Sequence, residues 1–267
     1  MLGTFVEISI KGDLDRESLL SCAETAFKSI KNIEETMSFH IKDSELSILN
    51  RSASNSPVKV SRDLFEVLRT GLAYSRLSDG LFDLTIGCRL VLEGKLPDHG
   101  VNFSSNANWS DIVIEDDTVF FNKPLLIDLG GIAKGYAVDR GFESIREIES
   151  TKDRLSKIVV NAGGDLRVWP WKGEAIAIRI PKEPYTKTTD VTMQNISLAT
   201  SGPYFGGSII GGREIISNEL SVSVFSRDCI DADALTKIYS LHPTFTVQGI
   251  EHKKLTINRF GSKIWGP

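Results

Sequence analysis

The chain has 267 residues, 41% hydrophobic and 25% charged, the balance of an ordinary globular protein long enough to bury a sizeable core. Thirty-one basic against 35 acidic side chains give a formal charge of −4; nucleic-acid-binding surfaces carry a basic excess, so that class is disfavoured. Composition excludes a disordered, collagen-like or disulfide-dense chain, and the three cysteines, Cys22, Cys88 and Cys229, are far apart, form no CxxC pair and read as reduced thiols.

Val6, Ile8 and Ile10 alternate with Glu7 and Ser9, which predicts a half-buried opening strand. Asp15 is placed to cap a long helix whose apolar stripe runs through Leu19, Ala26, Ile30, Ile33 and Met37. Ser61 caps a second helix with Leu64, Leu68 and Leu72 inward, and Asp79-Gly80 ends it. Short strands are predicted at Ile112–Ile114, Val119–Phe121 and Leu125–Ile127, and a third helix starts near Lys134. Further strands are expected at Ile158–Val160, Ala175–Ile180 and Ser221–Phe225. A short helix begins at Asp231, and a closing pair of strands lies between Phe245 and Ile257. Helices and strands mix without a steady βαβ rhythm, which indicates an α+β fold with mainly antiparallel pairing. No linker or repeat divides the chain, so residues 1–267 read as one domain with an internal cleft. No apolar run approaches the roughly 18 residues of a membrane span. The N-terminus lacks a basic n-region and a long apolar h-region, so no secretory signal is expected and a cytoplasmic location is.

Three glycine-bearing segments each follow a short apolar strand: Asp128-Leu129-Gly130-Gly131-Ile132-Ala133-Lys134-Gly135, Asn161-Ala162-Gly163-Gly164-Asp165 and Ala199-Thr200-Ser201-Gly202. Glycine after a strand lets backbone N–H groups approach an anion, and a helix start with Lys134 adds positive charge. Together they can cradle a pyrophosphate; singly, each is a tight turn. The first is neither GxGxxG nor a Walker P-loop. In Ser38–Asn50, His40 and Asn50 can border a ligand pocket, while Ser44-Glu45 also suits the cap of a short helix. In Asp231-Ala232-Asp233-Ala234-Leu235-Thr236-Lys237, Asp233 and Thr236 share a helical face and can hold a hard cation; the plainer reading is an Asp N-cap and an ordinary first turn.

Taken in order, these segments resemble the ApbE family, the FAD:protein FMN transferases. The resemblance runs from Leu2-Gly3-Thr4 through Ser44-Glu45-Leu46…Asn50 and Gly80-Leu81-Phe82-Asp83-Leu84-Thr85-Ile86-Gly87. It continues through the three glycine segments and Ser221-Val222-Ser223-Val224 to Asp233-Ala234-Leu235. It implies a single α+β domain of mixed, mainly antiparallel sheets with packed helices and a flavin cleft. It implies a magnesium-dependent enzyme that moves FMN from FAD to a threonine or serine hydroxyl of an acceptor protein and releases AMP. Carried over by position, Leu2, Gly3, Thr4, His40, Asn50, Asp128, Gly130, Gly131, Lys134, Gly164, Ser201 and Gly202 would contact FAD. A main-chain oxygen at Gly131 with Asp233 and Thr236 would hold Mg2+, and Asp233, Thr236 and Lys237 would form the catalytic group. His40 stands where the family usually has a tyrosine against the isoalloxazine ring.

The chain departs from the family at three places. Lys237 stands four residues after Asp233, where the family has threonine. Its ammonium either repels magnesium or replaces it as a tethered charge, unless Thr236 takes the ligand's place. The Phe205–Arg213 segment lacks the family's His-x-x-Asp-Pro-x-x-Gly, and Pro203 follows Ser201-Gly202 where an acidic residue is usual. The alternative is therefore a paralogue that binds flavin, or another small molecule, without transferring it.

Overall fold

A computed structural model describes residues 1–181, 187–202, 209–210, 213–214 and 220–266. Pro203 and the stretches 205–208 and 211–212 singled out above lie outside them. The chain gathers into two compact units, residues 1–31 with 134–267, and residues 32–133. Both mix helix with sheet, and every strand pair described is antiparallel, so the α+β expectation holds.

The first unit is built on a seven-stranded sheet. Its strands lie in the order Val6–Gly12, Leu155–Ala162, Asp165–Trp169, Ser197–Ser201, Leu220–Ser226, His252–Asn258 and Lys263–Gly266. Successive side chains of a strand point to opposite faces, so the register decides which residues meet. Leu198 pairs with Phe225 and with Leu166. These sit on the face where Val168, Leu255 and Ile257 join Ile178, Val191 and Met193 of the Ala175–Arg179 and Thr188–Thr192 hairpin in one buried cluster. The opposite face carries Val160, Asp165, Arg167, Ala199 and Val224 toward the helices Ala133–Arg146 and Cys229–Leu241. The first helix, Arg16–Met37, closes on the same side: a Cβ on Gly141 would stand 2.8 Å from Ile30 Cδ1 and 3.5 Å from Val160 Cγ1.

The second unit holds the helices Glu45–Ser52, Arg62–Leu77 and Gly87–Leu92 and a three-stranded sheet of Val58–Lys59, Thr118–Phe121 and Ile112–Glu115. Caps read from the sequence are in place. Asp15 Oδ1 accepts the Ser18 N–H at 2.8 Å, Ser44 Oγ the Ser47 N–H at 3.0 Å and Ser61 Oγ the Leu64 N–H at 3.4 Å. Asp79 and Gly80 end the Arg62–Leu77 helix at φ +48° and +74°.

Three expectations differ. Residues 125–127 form no strand, because their backbone bonds go elsewhere: the Leu126 N–H to Cys88 Sγ and Ile127 to the side-chain amide of Asn50. The helix expected from Asp231 begins at Cys229, since its first amides are capped by a carboxylate distant in sequence. The closing pair of strands is His252–Asn258 with Lys263–Gly266, later than the expected range.

Candidate functional site

The register of the large sheet puts Asp165 on its helix-facing side, at the start of a strand that leaves the Gly163-Gly164 hairpin. Both glycines take positive φ, +63° and +101°, which side-chain-bearing residues rarely adopt. Gly163 has a second reason: a Cβ there would lie 2.6 Å from Thr4 Oγ1. The N-terminal turn, with Leu2 at φ +56° and Gly3 at +67°, thus sets Thr4 against this hairpin. The position a Cβ would take on Gly164 faces no atom within 4 Å, so that backbone is open to close approach.

Lys134, in the first turn of the Ala133–Arg146 helix, reaches back to the sheet. Its Nζ lies 2.6 Å from Asp165 Oδ2 and 3.2 Å from Asp233 Oδ2. Asp233 sits inside the Cys229–Leu241 helix with its side chain fully buried. Its Oδ2 also accepts the Gly135 N–H at 3.1 Å, and its Oδ1 meets Lys237 Nζ at 2.5 Å. The two helices approach this closely because position 135 is glycine: a Cβ would stand 2.3 Å from the Cys229 carbonyl oxygen and 2.9 Å from Asp233 Cβ. A buried neighbour fixes the second helix in place. Asp139 accepts the Cys229 and Ile230 N–H groups at 2.9 Å each and pairs with Arg167 at 2.7 Å, so a carboxylate stands at the positive end of that helix. Cys229 is no nucleophile, because burial, reinforced by Asp139, Asp165 and Asp233, pushes its thiol pKa up.

The cluster is electrostatically self-contained: Lys134 and Lys237 balance Asp165 and Asp233. Burial favours the neutral form of Asp233, but Lys134 and Lys237 outweigh it and hold the carboxyl below the usual range. Asp165 lies above that range, because burial and the Asp233 charge together exceed the pull of Lys134. Burial works against the charge on Lys134 as well, yet the two carboxylates raise its pKa. The Thr200 backbone N–H reaches Asp165 Oδ1 at 3.4 Å, while its side chain lies on the other face of the sheet, Oγ1 2.9 Å from Ser223 Oγ.

These residues do not fit the divalent cation that the resemblance implies. Magnesium wants near-octahedral oxygen ligands at about 2.0–2.1 Å. Both oxygens of Asp233 already take N–H donors, and Thr236 Oγ1 donates to the Asp233 carbonyl at 2.7 Å while accepting from Lys237 Nζ at 3.0 Å. A dication beside Asp233 would face two ammoniums, and like charges 4 Å apart cost on the order of 4 kcal/mol per unit pair at a surface-like dielectric. The plainer expectation for this helix fails too: Asp231 lies within its first turn, and the N-cap residue is Asp228, whose side chain makes no capping bond.

Of the expected site residues, the first unit brings Thr4, Lys134, Gly164, Asp233, Thr236 and Lys237 to one region, with Ser201 and Gly202 half-buried at the end of the neighbouring strand. Several expected phosphate-cradling amides are already taken: Gly130 N–H by Asp128, Gly163 N–H by the Phe5 carbonyl and Gly164 N–H by Asn161. The second unit holds His40, Asn50, Asp128, Gly130 and Gly131. His40 is exposed, and its charge acts on Asp128, whose carboxyl burial pushes above the usual range. Asn50 is a clamp: its amide donates to the Ile127 carbonyl at 2.9 Å and accepts the Ile127 N–H at 2.8 Å, holding the chain just before Asp128. Sequence reasoning placed Asp165 in a motif without a role and assigned none to Gly135, Asp139 or Thr200. A carboxylate directly after a Gly-Gly turn was the available signal for Asp165.

Comparison with known proteins gives the family and the fold. The ApbE family matches residues 2–254. A protein of Klebsiella pneumoniae named FAD:protein FMN transferase is 27% identical over 242 residues, covering 81% of this chain and 74% of that one. One of the same name from Escherichia coli K12 is 24% identical over 265 residues, covering 87% and 74%. Among solved structures, the ApbE protein of Thermotoga maritima superposes with TM-score 0.77 at 23% identity, covering 98% of this chain and 94% of its own. The flavin transferase ApbE of Vibrio cholerae does so with TM-score 0.74 at 22% identity and the same coverage. At these identities the superpositions speak for the fold.

Proposed function

The chain belongs to the ApbE family, and from that premise we propose that it transfers FMN from FAD to a threonine or serine hydroxyl of an acceptor protein. The observation that carries this is the convergence on one ammonium. Lys134 in the first glycine segment, Asp165 at the end of the second, and Asp233 near the C-terminus are 31 and 99 residues from Lys134, yet all meet at its Nζ. With 29% of its side chain exposed, Lys134 can turn toward a diphosphate while the two carboxylates fix its position.

In the transfer, the acceptor hydroxyl oxygen bonds to the FMN phosphorus and the bond from that phosphorus to the bridging oxygen breaks. AMP leaves with the bridging oxygen, and the hydroxyl proton passes to solvent. Charge gathers on the phosphoryl oxygens and the departing phosphate, and a positioned ammonium stabilises it without reorganising. Thr4 and the open Gly164 turn border the same ammonium-bearing region and let a ligand approach the backbone. No step runs through Mg2+, because the side chains around Asp233 do not fit it.

A second reading, a protein that holds flavin and transfers nothing, is favoured by one observation: Lys237 bound to Asp233 Oδ1. One experiment separates them. The protein is incubated with FAD and a pool of threonine- and serine-containing peptides, with AMP release and peptide mass as readouts. AMP together with a peptide mass gain equal to FMN supports transfer. FAD at a hundredfold excess over its Kd should add about 2.7 kcal/mol of stability; such stabilisation without AMP supports the second reading. No stabilisation overturns both.

A further inference from the structure

The environment of Lys237 resembles the ligand shell of a hard cation more than a surface ion pair. Its Nζ has three N–H donors, and three oxygens of one helical turn receive them: Asp233 Oδ1 at 2.5 Å, Thr236 Oγ1 at 3.0 Å and the Asp233 main-chain carbonyl at 3.2 Å. Spacings of i, i+3 and i+4 bring these groups to one face. The Lys237 side chain is only 15% exposed and that of Asp233 not at all, so the charge is held inside the protein. The ammonium is directed to the side chain and carbonyl that a metal would use.

We propose that Lys237 is a tethered replacement for a divalent cation: it occupies the oxygens of Asp233 and Thr236, so a diphosphate-bearing dinucleotide binds here without metal. The inference deepens the flavin reading and rests on it for the identity of the dinucleotide. The occupation of the metal ligands stands apart from that reading. Charge supports the assignment. Without Lys237, Lys134 alone faces Asp165 and Asp233, and the cluster carries one net negative charge, unsuited to a diphosphate. With it the cluster is neutral, and Lys134 can serve the ligand. The exchange also predicts reversibility. Lys237→Thr places a hydroxyl on the face of Asp233 and removes the competing ammonium, which creates a metal site where none exists.

The test has two arms, both on the full chain. In the first, without flavin, Mn2+ replaces magnesium as a paramagnetic probe and free Mn2+ is followed by EPR. The wild type should leave the signal unchanged, and Lys237→Thr should take up one equivalent that Asp233→Asn in the same background abolishes. One equivalent bound by the wild type and lost with Asp233→Asn, or no Mn2+ taken up by a folded Lys237→Thr, overturns the proposal. In the second arm, FAD is titrated with and without EDTA. The wild-type Kd should not move, whereas Lys237→Thr should lose about tenfold in affinity on chelation. Lys237→Met, which removes the charge and offers no oxygen, should weaken FAD by about tenfold with no recovery in magnesium. A wild-type Kd that rises about tenfold with EDTA overturns the proposal. Absence of FAD binding in every protein overturns the flavin reading instead, and the Mn2+ arm then decides this inference alone.

Discussion

Lys134→Met tests whether the central ion cluster is held by its charges. Methionine keeps the unbranched stem and removes the ammonium. Asp233 retains Lys237 and the Gly135 N–H, but Asp165, with 3% of its side chain exposed, loses the cation 2.6 Å away. Taking one partner from a buried pair typically costs about 3–5 kcal/mol, because the remaining charge is uncompensated. Lys134 itself is 29% exposed, so water can reach the vacated place, and the lower end of about 3 kcal/mol is expected. At 2–4 °C per kcal/mol, that is a Tm loss of about 6–12 °C. The pH dependence identifies the cause. Asp165 already has a folded pKa above its unfolded value, and without Lys134 it rises further. Such a carboxyl favours the folded state below its unfolded pKa of about 3.9, and the advantage is lost as pH rises through the folded value. The cost of the substitution should therefore be small near about pH 4 and full near about pH 8. Urea unfolding followed by tryptophan fluorescence at both pH values measures it, since Trp169, Trp171 and Trp265 lie in this unit. A cost equal at the two pH values, or below about 1 kcal/mol at the higher one, refutes the charge assignment and leaves packing as the explanation.

Two further substitutions test the scaffold. Gly135→Ala should lower Tm by about 4 °C or more, since overpacking against fixed backbone costs about 1–3 kcal/mol or more and the new Cβ would meet the Cys229 carbonyl at 2.3 Å; an unchanged Tm would show that the two helices separate freely. Asn50→Leu strands the buried N–H and C=O of Ile127, at about 1–3 kcal/mol for each group left unsatisfied. Trp109, in the same unit, reports the loss by fluorescence, and an unfolding midpoint equal to wild type would remove the clamp assignment.

What the sequence revealed and what it withheld divide along the range of the interactions. The helices starting after Asp15, Ser44 and Ser61 were legible because a cap and the apolar period it precedes lie within a few residues of each other. Residues 125–127 looked like a strand because Leu-Leu-Ile is apolar, but their partners are the Asn50 side chain and the Cys88 thiol, neither of which local pattern can locate. The strand Asp165–Trp169 was hidden by its own polar residues. Asp165 and Arg167 face inward because helices bring Lys134 and Asp139 to meet them, and an inward charge disguises the alternation that marks a strand. In the same way, Gly163 and Gly135 fall in segments whose glycines, taken together, suggest close approach of a ligand. The structure shows each also required where protein meets protein, against Thr4 and against the Cys229 carbonyl.

The same distinction governs Asp233. Motif order was enough to single it out, and the structure places it fully buried between Lys134 and Lys237. A carboxylate's chemistry, however, is set by the cation that faces it, and that is decided one helical turn later. Threonine at position 237 would leave Asp233 Oδ1 open to a hard ion; lysine fills the position with a donor already attached to the backbone. Since a tethered ammonium has no dissociation equilibrium, a site so filled would need no supply of metal, but it would also have one charge where a divalent ion supplies two. Phosphoryl transfer at such a site must draw more of its stabilisation from Lys134 and from groups brought by the ligand and acceptor. On the proposal made above, Lys237 both removes the need for metal and should slow the chemistry relative to the Lys237→Thr variant in magnesium, so metal independence and slower AMP release are expected together.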